Sequence, residues 1–235
     1  MATKNKQLTS YHESSIWPNF PTTIEWLRLE RNSNKAKNKL FEMKTHHKGL
    51  NATMILLSAV CIEGFLVECL NSFIVGKRDR MDELQARLEN EFLNRVSKAT
   101  FRDFPELFRV ATGKSLSELI SDQDLIEGVK VLIAFRNGIA HARPTRYNSY
   151  QEIDAEEESE YELDGQYEKL ENYLKTKDLR HGDEHIFTDK IADHFSGLVQ
   201  KYINAVMSSL PVSNSMNHLV KYAYREMPDL KKGYV

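Results

Sequence analysis

An all-α helical bundle is the fold this chain predicts, and three observations carry the prediction. Apolar residues recur at helical spacing along nearly the whole length, while the alternating patterns that a half-buried strand needs are scarce. One segment, Leu50 to Val75, is apolar around most of its circumference and so belongs at the centre of a core. No internal repeat and no low-complexity linker divides the sequence. Its 235 residues are therefore read as one helical domain with extensions.

The first helix is expected to open at Pro21 with a capping box, Thr22 to Glu25, whose side chains bond the free amides of a first turn. The segment then turns basic: Arg28, Arg31, Lys35, Lys37, Lys39, Lys44 and Lys48 outnumber Glu30 and Glu42. Leu50 to Val75 is the second helix, and a third, heavily charged on one side, runs from about Arg80 to Ala99. Phe104 to Ile120 reads as two short helices broken at Gly113. The next helix starts at a Ser121 or Asp122 cap and buries Leu125, Ile126, Val129, Leu132, Ile133 and Ile139. It stops before Pro144, which disfavours helical geometry at Arg143. Seven acidic residues between Asp154 and Asp164 read as a solvated loop or hairpin. A short helix around Gln166 to Lys177 follows. A long one from about Ile186 to Leu210 presents Ile191, Phe195, Leu198, Tyr202 and Val206 on one face. The segment "SMNHLVKYAYRE" can form one more.

Composition removes several function classes. The formal net charge is −2, so binding to a polyanion requires a local basic patch rather than bulk attraction. The two cysteines, Cys61 and Cys69, lie eight residues apart on one helix. That is about 12 Å along its axis, beyond the roughly 7 Å a disulfide spans, so both read as small core hydrophobes. The start of the chain has no apolar core of the kind a signal peptide needs. Leu50 to Val75 is apolar enough to be weighed as a membrane span, but Glu63 and Glu68 near its middle would each cost about 2.5–3.5 kcal/mol there. A buried helix of a cytoplasmic protein, with no membrane partner, is the expectation. "ATGKS" at Ala111 to Ser115 ends like a phosphate loop, but Phe108 stands where the motif needs glycine. His181, His185 and Asp189 recur at four-residue steps, yet Gly182 interrupts them and no zinc motif surrounds them. No metal or cofactor is expected.

One stretch carries chemistry: "FRNGIAHARP", Phe135 to Pro144. Asn137 and His141 lie four residues apart and share a helix face, and Arg136 starts about 140° round from His141. Gly138 costs roughly 1 kcal/mol in a helix interior, so the turn is expected to loosen there. One account is that arginine and histidine complement the negative end of the helix dipole. The other is that they form a reactive site. The string resembles the Arg-x4–6-His signature of HEPN domains, all-helical bundles of bacterial toxins, defence systems and RNA-processing factors. A second correspondence is "SAVCIEGFLVECLN", an early helix with Glu63 ahead of Phe65 and Leu66.

The resemblance covers about Lys48 to Leu210. It implies a HEPN-like bundle over residues 48–210, a basic N-terminal extension over 1–47 and a C-terminal tail over 211–235. It also implies metal-independent ribonuclease activity, in toxin–antitoxin or phage-defence biology. Arg136, Asn137 and His141 would be catalytic, and the residue types suit the reaction. A histidine near neutrality exchanges the proton, and a guanidinium stabilises charge on the phosphoryl group. Arg143, Arg146 and Glu63 would stand at the substrate. Glu63 either tunes His141, orients Arg136, or is a core glutamate bonded to a neighbouring helix. Expected partners are RNA, a second copy of the chain in a homodimer with two facing motifs, and an antitoxin or regulatory protein. Some toxins of this family carry a tyrosine two residues after the histidine as a target of nucleotide transfer. Here that residue is Arg143, which puts that regulation in doubt. The alternative is a non-catalytic module that binds RNA, nucleotide or protein through the same cleft.

Overall fold

The computed structural model describes residues 16–36, 43–75, 83–140, 161–181, 185–210 and 214–224. Among these the chain is all-α, with nine α-helices, one short 3-10 turn and no strand. The 3-10 turn, Trp17–Asn19, leads directly into α1, Phe20–Ala36. Then follow α2 (Met43–Val75), α3 (Glu83–Ser97), α4 (Phe104–Thr112) and α5 (Leu116–Leu119). The remaining helices are α6 (Gln123–Ala140), α7 (Tyr161–Thr176), α8 (Asp189–Ser209) and α9 (Asn214–Tyr224).

The spine is α2, whose 33 residues extend about 50 Å at 1.5 Å each. It packs against α8, α1 and α6, with α3 and α4 beside it. Met54, Ile55, Cys61, Ile62, Phe65, Leu66 and Leu70 are buried on it, over about half of its circumference, while Val60 on the opposite side is 38% exposed. By length and composition the His46–Ile74 part could cross a membrane, and 56% of its most apolar window is buried inside the bundle. Cys61 and Cys69 are both buried and free. Burial, helped by the charge of Glu68, pushes the Cys69 thiol up to about 12, and burial raises Cys61 further. Neither is a thiolate at neutral pH.

Several boundaries differ from the sequence expectation for local reasons. Buried Trp17 anchors the 3-10 turn, so α1 begins at Phe20 and Thr22 lies inside its first turn rather than capping it. Glu25 pairs with Arg28 instead of closing a capping box. A capping box does form ahead of α5, where Glu118 accepts the Ser115 amide at 2.6 Å. The second helix begins two turns earlier than Leu50 and absorbs exposed Gly49. Gly113 ends α4 with φ +82°, a left-handed cap that glycine adopts without a Cβ clash. Of the two candidate caps for α6, Asp122 acts: its Oδ1 accepts the Leu125 amide at 3.0 Å. The seventh helix takes in residues 161–164, the end of the acidic run. The rest of that run lies outside the described residues.

Candidate functional site

The register of α6 is fixed by its aromatic and aliphatic residues. Phe135 stacks on Phe187 at 5.7 Å and meets Phe195 edge-on at 5.9 Å, while Leu132 and Ile133 are buried beside it. With that face locked into the core, the next side chain, about 100° further round, is Arg136. It turns to α2, where its Nη2 donates to Oε1 of Glu63 in an ion pair. Each side chain of the pair is 24% exposed, so the guanidinium is held at the edge of the core rather than in bulk water. No other partner bonds Arg136 among the described residues, and its Nε is buried without one. An unpaired buried donor of this kind costs about 1–3 kcal/mol.

Burial raises the Glu63 carboxyl above its usual range. The charge and hydrogen bond of Arg136 pull it down and offset only part of that effect. The geometry puts Glu63 in contact with Arg136, which ties α2 to α6. Asn137 is exposed one step further along α6. Gly138 does not loosen the helix, which continues through it to Ala140. Anchoring of Val131 to Phe135 in the core carries the helix past the glycine. A Cβ added at Gly138 would meet no atom of the described residues within 4 Å. His141, Arg143 and Arg146 lie outside the described residues.

The histidine steps after α7 serve local structure. His181 faces Asp178 at 3.2 Å, and Nδ1 of His185 accepts the Phe187 amide at 3.0 Å. Asp189 accepts from the Asn51 side chain at 2.8 Å. No group of three or more His, Cys, Asp or Glu able to hold a metal occurs among the described residues.

Sequence reasoning missed a polar node that joins α1, α2 and α8. Arg31, read only as one cation of a basic segment, is 2% exposed. Its Nη2 donates to both carboxylate oxygens of Asp193 at 3.0 and 2.9 Å, and its Nη1 to Oδ1 of Asn51 at 3.0 Å. Asn51 in turn donates to the Phe187 carbonyl at 2.9 Å, which ties the turn before α8 to the spine. Arg28 adds a bond to Asp193 at 3.0 Å. The basic character expected of this segment is thus partly neutralised by Glu25, Asp189 and Asp193. The signal was present in the spacing: Ile24, Leu27 and Arg31 follow i, i+3, i+7, one helix face.

Comparison of the chain with protein-family models, with curated proteins and with solved structures gives no match.

Proposed function

We propose that this chain is a metal-independent endoribonuclease of the HEPN type, acting in the cytoplasm as a homodimer in toxin–antitoxin or phage-defence biology. The observation that carries the reading is the Arg136–Glu63 pair. An arginine that begins an Arg-Asn-x-x-x-His string is held by a carboxylate from another helix, at the edge of the core. A helix-end arginine that merely complemented the dipole would need no such tether, nor a buried Nε left unpaired. Glu63 is the positioning residue here; Arg136 and His141 are the catalytic ones.

In the reaction, the RNA 2′-hydroxyl loses its proton to one His141, and its oxygen attacks the adjacent phosphorus. The bond from phosphorus to the 5′-oxygen breaks, and that oxygen takes a proton from the other protomer's histidine. The products are a 2′,3′-cyclic phosphate and a 5′-hydroxyl. Arg136 stabilises the negative charge that builds on the phosphoryl oxygens without changing its own protonation. Asn137 orients His141 or bonds a phosphoryl oxygen, and Arg143 and Arg146 steer the phosphate backbone.

The test is RNA cleavage by purified wild-type, His141→Ala and Arg136→Ala proteins. Proton transfer typically contributes about 10²–10⁴-fold, so His141→Ala should lose at least that range of rate while its helical circular dichroism is unchanged. Arg136→Ala should fall comparably. Variants that cut RNA at the wild-type rate would end the enzyme reading. RNA bound but never cut by the wild type would favour the non-catalytic module.

A further inference from the structure

A cleft of about 310 Å³ opens between α1 and α9, lined by Asn19, Thr22, Thr23, Trp26 and Tyr222. Its two aromatic residues are turned outward: Trp26 is 69% exposed and Tyr222 59%. The other tryptophan, Trp17, is 3% exposed and packs on Phe65, so hydrophobic packing within this fold accounts for one indole and not for the other. We propose that this cleft is a stacking site for a base of single-stranded RNA, with Trp26 and Tyr222 as its platforms.

Four features favour that ligand. Indole and phenol rings offer flat faces on which any base stacks. The Asn19 amide and the Thr22 hydroxyl supply donors and acceptors for a base edge or a ribose hydroxyl. Among the described residues none of the five that line the cleft is acidic, and exposed Lys221 adjoins Tyr222 on α9. The volume is at the low end of the roughly 300–1,000 Å³ span of small-ligand sites, a size for one unstacked nucleotide rather than a duplex.

The cleft is also well placed. The 3-10 turn that supplies Asn19 sits directly on Gly64, where an added Cβ would come within 2.7 Å of the Trp17 Cβ. Gly64 adjoins Glu63, so the turn that carries Asn19 meets α2 one residue from the Arg136–Glu63 pair. The choice of RNA over other flat ligands rests on the ribonuclease reading; the stacking chemistry of the cleft does not.

The experiment uses the full chain and a short single-stranded RNA with 2′-O-methyl riboses, which binds but offers no nucleophile. Saturable quenching of tryptophan fluorescence is expected, since Trp26 is the exposed indole, and Trp26→Phe should lose that signal while keeping most of the affinity read by anisotropy of labelled RNA. Trp26→Ala and Tyr222→Ala should each weaken binding by roughly 5- to 150-fold, the loss of one stacked base. Both residues are exposed, so thermal melts of these variants should match the wild type. Wild-type affinity in both alanine variants would overturn the proposal. So would a saccharide such as maltopentaose that quenches Trp26 more tightly than RNA, or a smaller assembly by light scattering in both variants, which would make this face a contact between copies. If Arg136→Ala and His141→Ala cut RNA at the wild-type rate but Trp26→Ala still loses RNA binding, the cleft stands and the ribonuclease site falls.

Discussion

Arg31→Met is the substitution whose effect the structure sizes best. Methionine keeps the volume and apolar stem of arginine but removes the charge that joins α1 to α2 and α8. Breaking a buried ion pair by deleting one partner typically costs about 3–5 kcal/mol. The lower end applies here, because Asp193 is 42% exposed and Asp189 23%, so water can reach both carboxylates once the guanidinium is gone. Arg28 also stays on Asp193. The group that water reaches least is Asn51, 1% exposed, whose carbonyl oxygen would lose its donor. A loss of about 3 kcal/mol lowers Tm by about 6–12 °C in a chain of this size. Arg31→Lys should fall between, since one ammonium cannot reproduce the two-pronged grip on Asp193. The exposed pair Arg87–Glu83, 74% and 85% exposed, serves as control, and Arg87→Ala should leave Tm within about 1 °C. A calorimetric melt of Arg31→Met within about 2 °C of wild type would refute the view that this node fastens α1 to the core.

Three further outcomes are expected. The Glu63 carboxyl is raised in the folded chain, mainly by burial, so its contribution to stability is fully present below its unfolded value of 4.5 and is lost as pH rises through the folded value. Urea unfolding of wild type and Glu63→Gln should therefore show the wild type gaining relative to the variant between pH 7 and pH 4; a gap independent of pH would contradict it. Gly64→Ala should lower stability by about 1–3 kcal/mol despite alanine's better helix propensity, because the new methyl meets the base of the Trp17 side chain, which cannot swing away. Denaturant midpoints decide this, and an unchanged midpoint would show that the turn yields. Finally, RNA cleavage should persist in excess EDTA, leave 2′,3′-cyclic ends, and fall faster than linearly on dilution below the dimer dissociation constant. Dependence on added divalent ion, or full specific activity from a monomer, would oppose the mechanism.

Much of the architecture was legible because it rests on periodicity. The apolar circumference of α2 and the one-sided stripe of α8 are patterns of composition, and both helices take the central positions those patterns imply. What was not legible depends on partners distant in sequence. Arg31 and Asp193 are 162 residues apart, and nothing local distinguishes Arg31 from the basic residues around it except its place on the Ile24–Leu27 stripe. Glu63 could be named from its surroundings but its contact could not, because the register of α6 that turns Arg136 toward it is set by Phe135 against Phe187. The Trp26–Tyr222 cleft gave no sign in either helix alone, because each contributes one aromatic residue to a surface that exists only when α1 and α9 meet.

The two adjacent residues Glu63 and Gly64 tie these points together. Neighbours on a helix differ by about 100° in direction, so one position on α2 addresses two faces of the bundle. Glu63 takes one face and holds the guanidinium of α6. Gly64 takes the next and, by lacking a side chain, lets the Trp17 turn close against the spine and set Asn19 beside the cleft. Neither residue needs to touch RNA for this. A change at Glu63 should act on the rate through Arg136, and a change at Gly64 on binding through the cleft. Separate effects on cleavage and on affinity from two consecutive residues would mark α2 as the element that coordinates both sites.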